Sequence, residues 1–289
     1  MVTTAAQNTS GNYKWKVAAV ISGSFLFSAM DLNSVLVALP TIAGDYEVDL
    51  PTVQWVALIS FLSLNALLLP LGRLSDLAGR KRLLLIGLLV TGFGGVFSFL
   101  APGLGWLYAA RAVQGAGAAA LQAVGPPLLI AAFPASERGK AMGVNVTMVS
   151  SGLMLGPVLG GLIAGSIGWR FIFLLPVPVV ILGAYFGARV LREMPKTEGE
   201  GFDFPGTALL VLWMLPLFYM LNRGSKLGWG SLTILVLAAV VVVAFASFVF
   251  SQLRSKHPLV ALSVFGNRSF TTAILVAMMN FLAFGATVL

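Results

Sequence analysis

The sequence predicts an all-α membrane protein, and three observations carry that prediction. Hydrophobic residues make up 58% of the 289 residues, charged residues only 10%, and the mean hydropathy is +0.94; soluble domains are about a quarter charged. The apolar residues come in runs of about twenty, the length at which a helix rising 1.5 Å per residue crosses a hydrocarbon core of roughly 30 Å. Strand alternation is absent, and only helices or closed barrels satisfy every backbone polar group in lipid.

Nine runs follow one another, over residues 17–40, 53–72, 83–101, 106–132, 140–165, 169–191, 205–222, 232–252 and 270–289. Lys14 and Lys16 precede the first, which is too long for the h-region of a cleavable signal and lacks a small-residue cleavage pattern. It reads as a retained span. The loops set the orientation. Lys14 and Lys16, then Arg73, Arg80, Lys81 and Arg82, then Arg138 and Lys140 fall on one side. Arg189, Arg192, Lys196, Arg254, Lys256 and Arg268 join them, so fourteen cations face Arg170, Arg223 and Lys226 on the other side. That asymmetry predicts a multi-pass protein of the plasma (inner) membrane with a cytoplasmic N-terminus. Trp55, Trp106, Trp169 and Trp229 then fall at the outer boundary and Trp15 at the inner one, where belt residues belong. The stretch from Arg189 to Phe204, carrying Glu193, Lys196, Glu198, Glu200 and Asp203, reads as a polar connection closing a six-helix bundle. Leu289 falls in an apolar run without a polar tail, which predicts a piece of a longer protein.

Several function classes drop out. The net charge of +8 and pI near 10.1 do not mark a nucleic-acid binder, because the cations sit in short loops between apolar runs. With no cysteine and a single loop histidine, His257, neither thiolate nor histidine metal sites are expected, and no cofactor is called for. A membrane-embedded enzyme lacks its catalytic set, since Asp31 is the chief carboxylate within the spans.

Four patterns carry the chemistry. Gly72-Arg-Leu-Ser-Asp76-Leu-Ala-Gly79-Arg80-Lys81-Arg82 joins the second and third runs. It reads as a loop with a tight turn, in which Asp76 pairs with the adjacent arginines or faces the positive end of a neighbouring helix. Arg111, followed by Gln114, Gly115 and Gly117, lies inside the fourth run, and Asp31 lies inside the first. A charge at a helix centre costs about 2.5–3.5 kcal/mol on insertion scales, so each needs a partner or water. At 1.5 Å per residue, Arg111 lies roughly 8 Å and Asp31 roughly 13 Å below the outer face, near enough to meet. A proton-sensitive pair lining a substrate path and a static ion pair both fit. Gly152, Gly156 and Gly160 recur every four residues, forming one smooth face beside Gly161, and Pro157 kinks the helix between them. Finally, Pro134 to Gly143 reads either as a second gate loop or as a plain polar turn.

Together these residues resemble the major facilitator superfamily over nearly the whole chain. Gly72, Asp76, Gly79, Arg80 and Lys81 resemble its signature loop, a cytoplasmic gate. Arg111 and Gln114 resemble the fourth-helix motif associated with proton coupling, and Gly152, Gly156, Pro157, Gly160 and Gly161 the fifth-helix motif of antiporters. Asp31 with Ala38-Leu39-Pro40, and Trp169 to Phe173, resemble the drug:proton antiporters with fourteen transmembrane helices. Asn33 and Leu36 stand where the first-helix motif commonly has Thr and Asn, and Pro176 stands where the sixth is commonly followed by Asn. The resemblance implies a cytoplasmic tail over 1–16, a six-helix bundle over 17–192, and a linker over 193–204. Two inserted helices over 205–252 and the first helix of a second bundle over 253–289 follow. It further implies alternating access, protons as the coupling ion, and export of small hydrophobic or cationic molecules. Asp31, Arg111, Gln114 and Asn33 would line the path, and the C-terminal half of the same protein would complete it. A nutrient symporter of the same superfamily and a non-transporting scaffold remain as alternatives.

Overall fold

The computed structural model describes residues 11–195 and 201–288. Outside it lie the first ten residues of the expected tail, Lys196, Glu198 and Glu200 of the connection, and Leu289 of the ninth run. All described secondary structure is helical. The long helices are α1 (Gly11–Asp45), α2 (Trp55–Ala78), α3 (Arg80–Phe99), α4 (Leu104–Ala132), α5 (Arg138–Ser166) and α6 (Val177–Val190). They continue with α7 (Phe204–Leu227), α8 (Leu232–Arg254) and α9 (Arg268–Val288). Among the described residues, eight segments are long and apolar enough to cross a membrane, matching the first eight runs.

Three boundaries differ from those read in the sequence. The first helix does not end at Pro40 but carries it internally and runs to Asp45. The run 169–191 is not one helix. A 3-10 segment, Trp169–Leu174, precedes α6, because Pro176 and Pro178 lack the N–H groups that a continuous helix needs. The signature stretch between the second and third runs is hardly a loop. Gly79 alone separates α2 from α3, and its φ of +111° is open to glycine and strained for other residues.

Contacts divide the chain into two compact units, Met1–Glu200 and Gly201–Leu289. In the first, two buried apolar clusters occupy opposite ends of the helices. One gathers Val17, Ile21, Leu84, Leu88, Leu121 and Val124, and the other Val35, Ile42, Val56, Leu107, Ile172 and Phe173. On both α1 and α4 an interval is left between these clusters, and Asp31, Arg111 and Gln114 are buried polar residues within it. Because lipid is as apolar as leucine, contact between such helices depends on close packing by small residues. The far side of α5 is correspondingly apolar and open, with Met154 76% and Leu162 63% exposed.

The second unit is built on a hairpin of α7 and α8. Asp203 caps α7 by accepting from Gly206 N at 2.8 Å and accepts from Gln252 Nε2 of α8 at 2.7 Å. Gln252 Oε1 in turn accepts from Val260 N at 3.1 Å, so the open end of the hairpin is fastened by satisfied polar groups. Asn222, Arg223 and Gly224 lie within α7, and the turn to α8 is made at Gly228 with a φ of +84°.

Candidate functional site

Arg111 is completely buried and Asp31 is 8% exposed. Arg111 Nη1 donates to Asp31 Oδ2 at 2.9 Å and to Gln114 Oε1 at 2.6 Å. Gln114 Nε2 donates to Asp31 Oδ1 at 3.2 Å, closing a triangle in which both carboxylate oxygens are used. Gln114 reaches this position because residues three apart on a helix share a face. Arg111 is braced from two further sides. Its Nε donates to the Val56 carbonyl at 3.1 Å, and the Phe173 ring lies 5.5 Å from the guanidinium carbon. The remaining nitrogen, Nη2, has no partner among the described residues.

The glycines after Arg111 explain how this bracing is reached. A Cβ on Gly115 would stand 2.2 Å from the Ser60 carbonyl oxygen, and one on Gly117 would stand 2.6 Å from the Gly87 carbonyl oxygen. Bare backbone at these positions lets α4 press onto α2 and α3, which brings Val56 within reach of Arg111. Phe173 is placed from the other end. Asp45 Oδ2 accepts from Trp169 Nε1 at 3.1 Å and from Arg170 Nη1 at 2.9 Å, anchoring the 3-10 segment to the end of α1.

Asp31 and Gln114 border a cavity of about 200 Å³ that also meets Phe25, Ser28, Phe61 and Gln122; Arg111 does not border it. The anion is thus on the wall while its cation is behind the wall. Asn33, expected on the same path, lies elsewhere. Its Cβ comes within 3.0 Å of a Cβ built on Gly156, at the contact between α1 and α5.

That contact is where the fifth-helix motif acts. Cβ atoms on Gly152, Gly156 and Gly160 would meet α1 backbone at Leu26, Met30 and Ser34, at 2.2, 2.8 and 2.7 Å. The four-residue step is matched on both helices, so they touch along a line. Ser34 Oγ donates across it to the Gly156 carbonyl at 2.8 Å, beside Pro157. Gly161 stands apart, its Cβ meeting only Val37 Cγ1 at 3.7 Å.

At the expected gate, Asp76 Oδ1 accepts from Arg80 Nε at 3.0 Å and Nη2 at 2.9 Å, while Gly72 packs near Ala123. A partner that sequence reasoning did not single out is Glu193. Its Oε1 accepts from the Lys81 backbone N at 3.0 Å, filling a donor left open at the start of α3, and Lys81 Nζ donates to the Ala188 carbonyl at 2.7 Å. Its position in the polar connection was the only signal. Gly79→Ala is expected to lower stability by about 1–3 kcal/mol, since it adds backbone strain and a Cβ 3.0 Å from the Glu193 carboxylate. Thermal unfolding of the purified protein checks this, and an unchanged midpoint refutes it. In the Pro134–Gly143 stretch, Glu137 pairs with Lys14.

The profile of the Major Facilitator Superfamily matches residues 21–289. The chain belongs to this superfamily. Members similar to it include a riboflavin transporter, RibZ, of Clostridioides difficile, 30% identical and matched over 89% of this chain and 56% of the relative. The multidrug resistance protein Stp of Mycobacterium tuberculosis is 33% identical over 85% of this chain and 46% of its own. The probable multidrug resistance protein EmrY of Escherichia coli is 32% identical over 92% and 52%. The chain therefore spans about half the length of the curated relatives it matches. Among solved structures, a bacterial homologue of the human lysosomal transporter Spinster aligns with a TM-score of 0.58 at 17% identity. That alignment covers 84% of this chain and 64% of the other, and at this identity it shows the fold alone. The family and the eight apolar helices together make the chain a multi-pass membrane protein.

Proposed function

We propose that this superfamily member exports small amphipathic molecules in exchange for protons, by alternating access. The observation that carries the reading is the asymmetry of the ion pair: Asp31 faces the cavity and Arg111 does not. A proton arriving through the cavity reaches the carboxylate first and cancels its attraction to Arg111. Arg111 keeps Gln114, Val56 and Phe173, so the loss falls on the α1–α4 link. Such a difference in interaction between two states is what allows a ligand to shift a conformational equilibrium. Phe25 and Phe61 offer apolar wall, and Ser28 and Gln122 offer hydrogen bonds, which suits hydrophobic or cationic substrates carrying polar groups. A cationic substrate and a proton would compete for the same carboxylate, and that competition yields exchange. The multidrug names of two relatives support export. The plasma membrane, with the N-terminus in the cytoplasm, is the proposed location, from the charge asymmetry of the loops.

The test is substrate-evoked proton release from the whole protein in detergent and proton-driven transport in proteoliposomes. Asp31→Asn is expected to abolish both, with the protein still assembled because Arg111 keeps its other partners. Release that persists in Asp31→Asn sinks the coupling role. Uptake of a nutrient is the second reading, favoured by the relative named a riboflavin transporter. Counterflow in oriented vesicles separates them, since an exporter moves substrate against the inward proton gradient and a symporter moves it along.

A further inference from the structure

A second cavity, of about 490 Å³, lies between α1 and α6 and is separate from the one that Asp31 borders, sharing only Ser24 with it. Its walls are apolar: Ala19 and Val20 of α1 face Val179, Leu182 and Phe186 of α6. Its floor is made of small residues. A Cβ on Gly23 would meet nothing within 4 Å, while one on Gly183 would touch Ser24 Oγ at 3.0 Å. The groove follows α1 from Lys16 to Gly23, a rise of roughly 10 Å at 1.5 Å per residue. One end alone is charged, where Lys16 and Arg189 stand.

Three other cations at the same end of the unit have polar partners, and two more rest on rings. Lys14 is paired with Glu137, Arg80 with Asp76, and Lys81 with the Ala188 carbonyl. Lys140 lies over Trp15 and Arg192 over Tyr13. Lys16 and Arg189 have no carboxylate partner among the described residues, and Arg189 only rests on the Tyr185 ring. An apolar groove about half a leaflet deep, with two unneutralised cations at its mouth, complements one chemistry: acyl chain below, anion above. Cationic pockets between membrane helices bind acidic headgroups on this principle.

We propose that this groove is a binding site for an anionic phospholipid, with its phosphate between Lys16 and Arg189 and an acyl chain laid over Gly23. The site does not depend on the transport reading, because it requires only that the chain lie in a membrane. The lipid would fill space between α1 and α6 and set the position of α1, the helix that carries Asp31.

Native mass spectrometry of the whole protein, titrated with phosphatidylglycerol or phosphatidylcholine of identical acyl chains, tests it. The parent protein is expected to bind phosphatidylglycerol at least tenfold more tightly. Lys16→Gln/Arg189→Gln, both exposed positions, is expected to lower phosphatidylglycerol affinity about thirtyfold and leave phosphatidylcholine unchanged. Gly23→Leu, which fills the groove from its floor, is expected to weaken both lipids alike. Equal affinity of the parent for the two lipids overturns the proposal. So does a preference that survives the double substitution, or phosphatidylglycerol binding that Gly23→Leu leaves intact, which would place the lipid elsewhere.

Discussion

Arg111→Met is expected to cost the protein about 3–5 kcal/mol of stability and to abolish transport, the largest effect of any single substitution here. The side chain is fully buried and serves Asp31, Gln114, the Val56 carbonyl and the Phe173 ring at once. Its removal leaves the Asp31 carboxylate facing Gln114 alone. Lysine is no substitute, since an ammonium lacks the planar fork that reaches Asp31 and Val56 from different nitrogens. Combining Arg111→Met with Asp31→Asn removes the stranded charge and should return most of the stability, so the two changes will be strongly non-additive. Transport should stay lost in the combination. Thermal unfolding of the three variants, with proteoliposome assays on each, reads both quantities. An Arg111→Met protein that melts with the parent contradicts the buried-pair account. A double variant that transports with proton coupling contradicts the functional one.

Gly152→Leu is expected to be the next most damaging change. Its first side-chain atom would already lie 2.2 Å from the Leu26 carbonyl oxygen, which is backbone and has nowhere to go. Overpacking of this kind costs about 1–3 kcal/mol or more, and here it separates α1 from α5 along their whole line of contact. Gly156→Ala and Gly160→Ala should each show a smaller loss of the same kind, with clashes at 2.8 and 2.7 Å. Gly161→Ala is the control. It belongs to the same motif, yet its Cβ would find ordinary contact at 3.7 Å, and its unfolding midpoint should match the parent. Equal effects at positions 152 and 161 would show that glycine matters in this motif through helix propensity and not through close approach.

Much of this was legible before any coordinates. Eight spans follow from hydropathy alone, because lipid leaves a helix no other way to satisfy its backbone. The meeting of Asp31 with Arg111 follows from counting rises on two helices that start from one face. What was hidden depends on rotation and on backbone. Asn33 is two residues from Asp31, a turn of about 200°, which directs it to α5 and away from the cavity that depth alone suggested. The Val56 carbonyl is a main-chain atom with no residue signature, and Phe173 is one of 20 phenylalanines. Glu193 was read as linker charge, since nothing local shows that it turns back to the start of α3.

The glycine contacts also sort the helices of the first unit into two plates. Main chain lies against main chain where α5 meets α1, and again where α4 meets α2 and α3. From α1 to α4, by contrast, the joint is made of side chains: the Phe25 ring over Gly125, and the bolt formed by Asp31 and Arg111. If the proposed coupling holds, a single hydrogen ion landing on Asp31 would loosen that bolt and leave both plates intact, so that α1 would travel with α5 as one body and leave α4 where it stands.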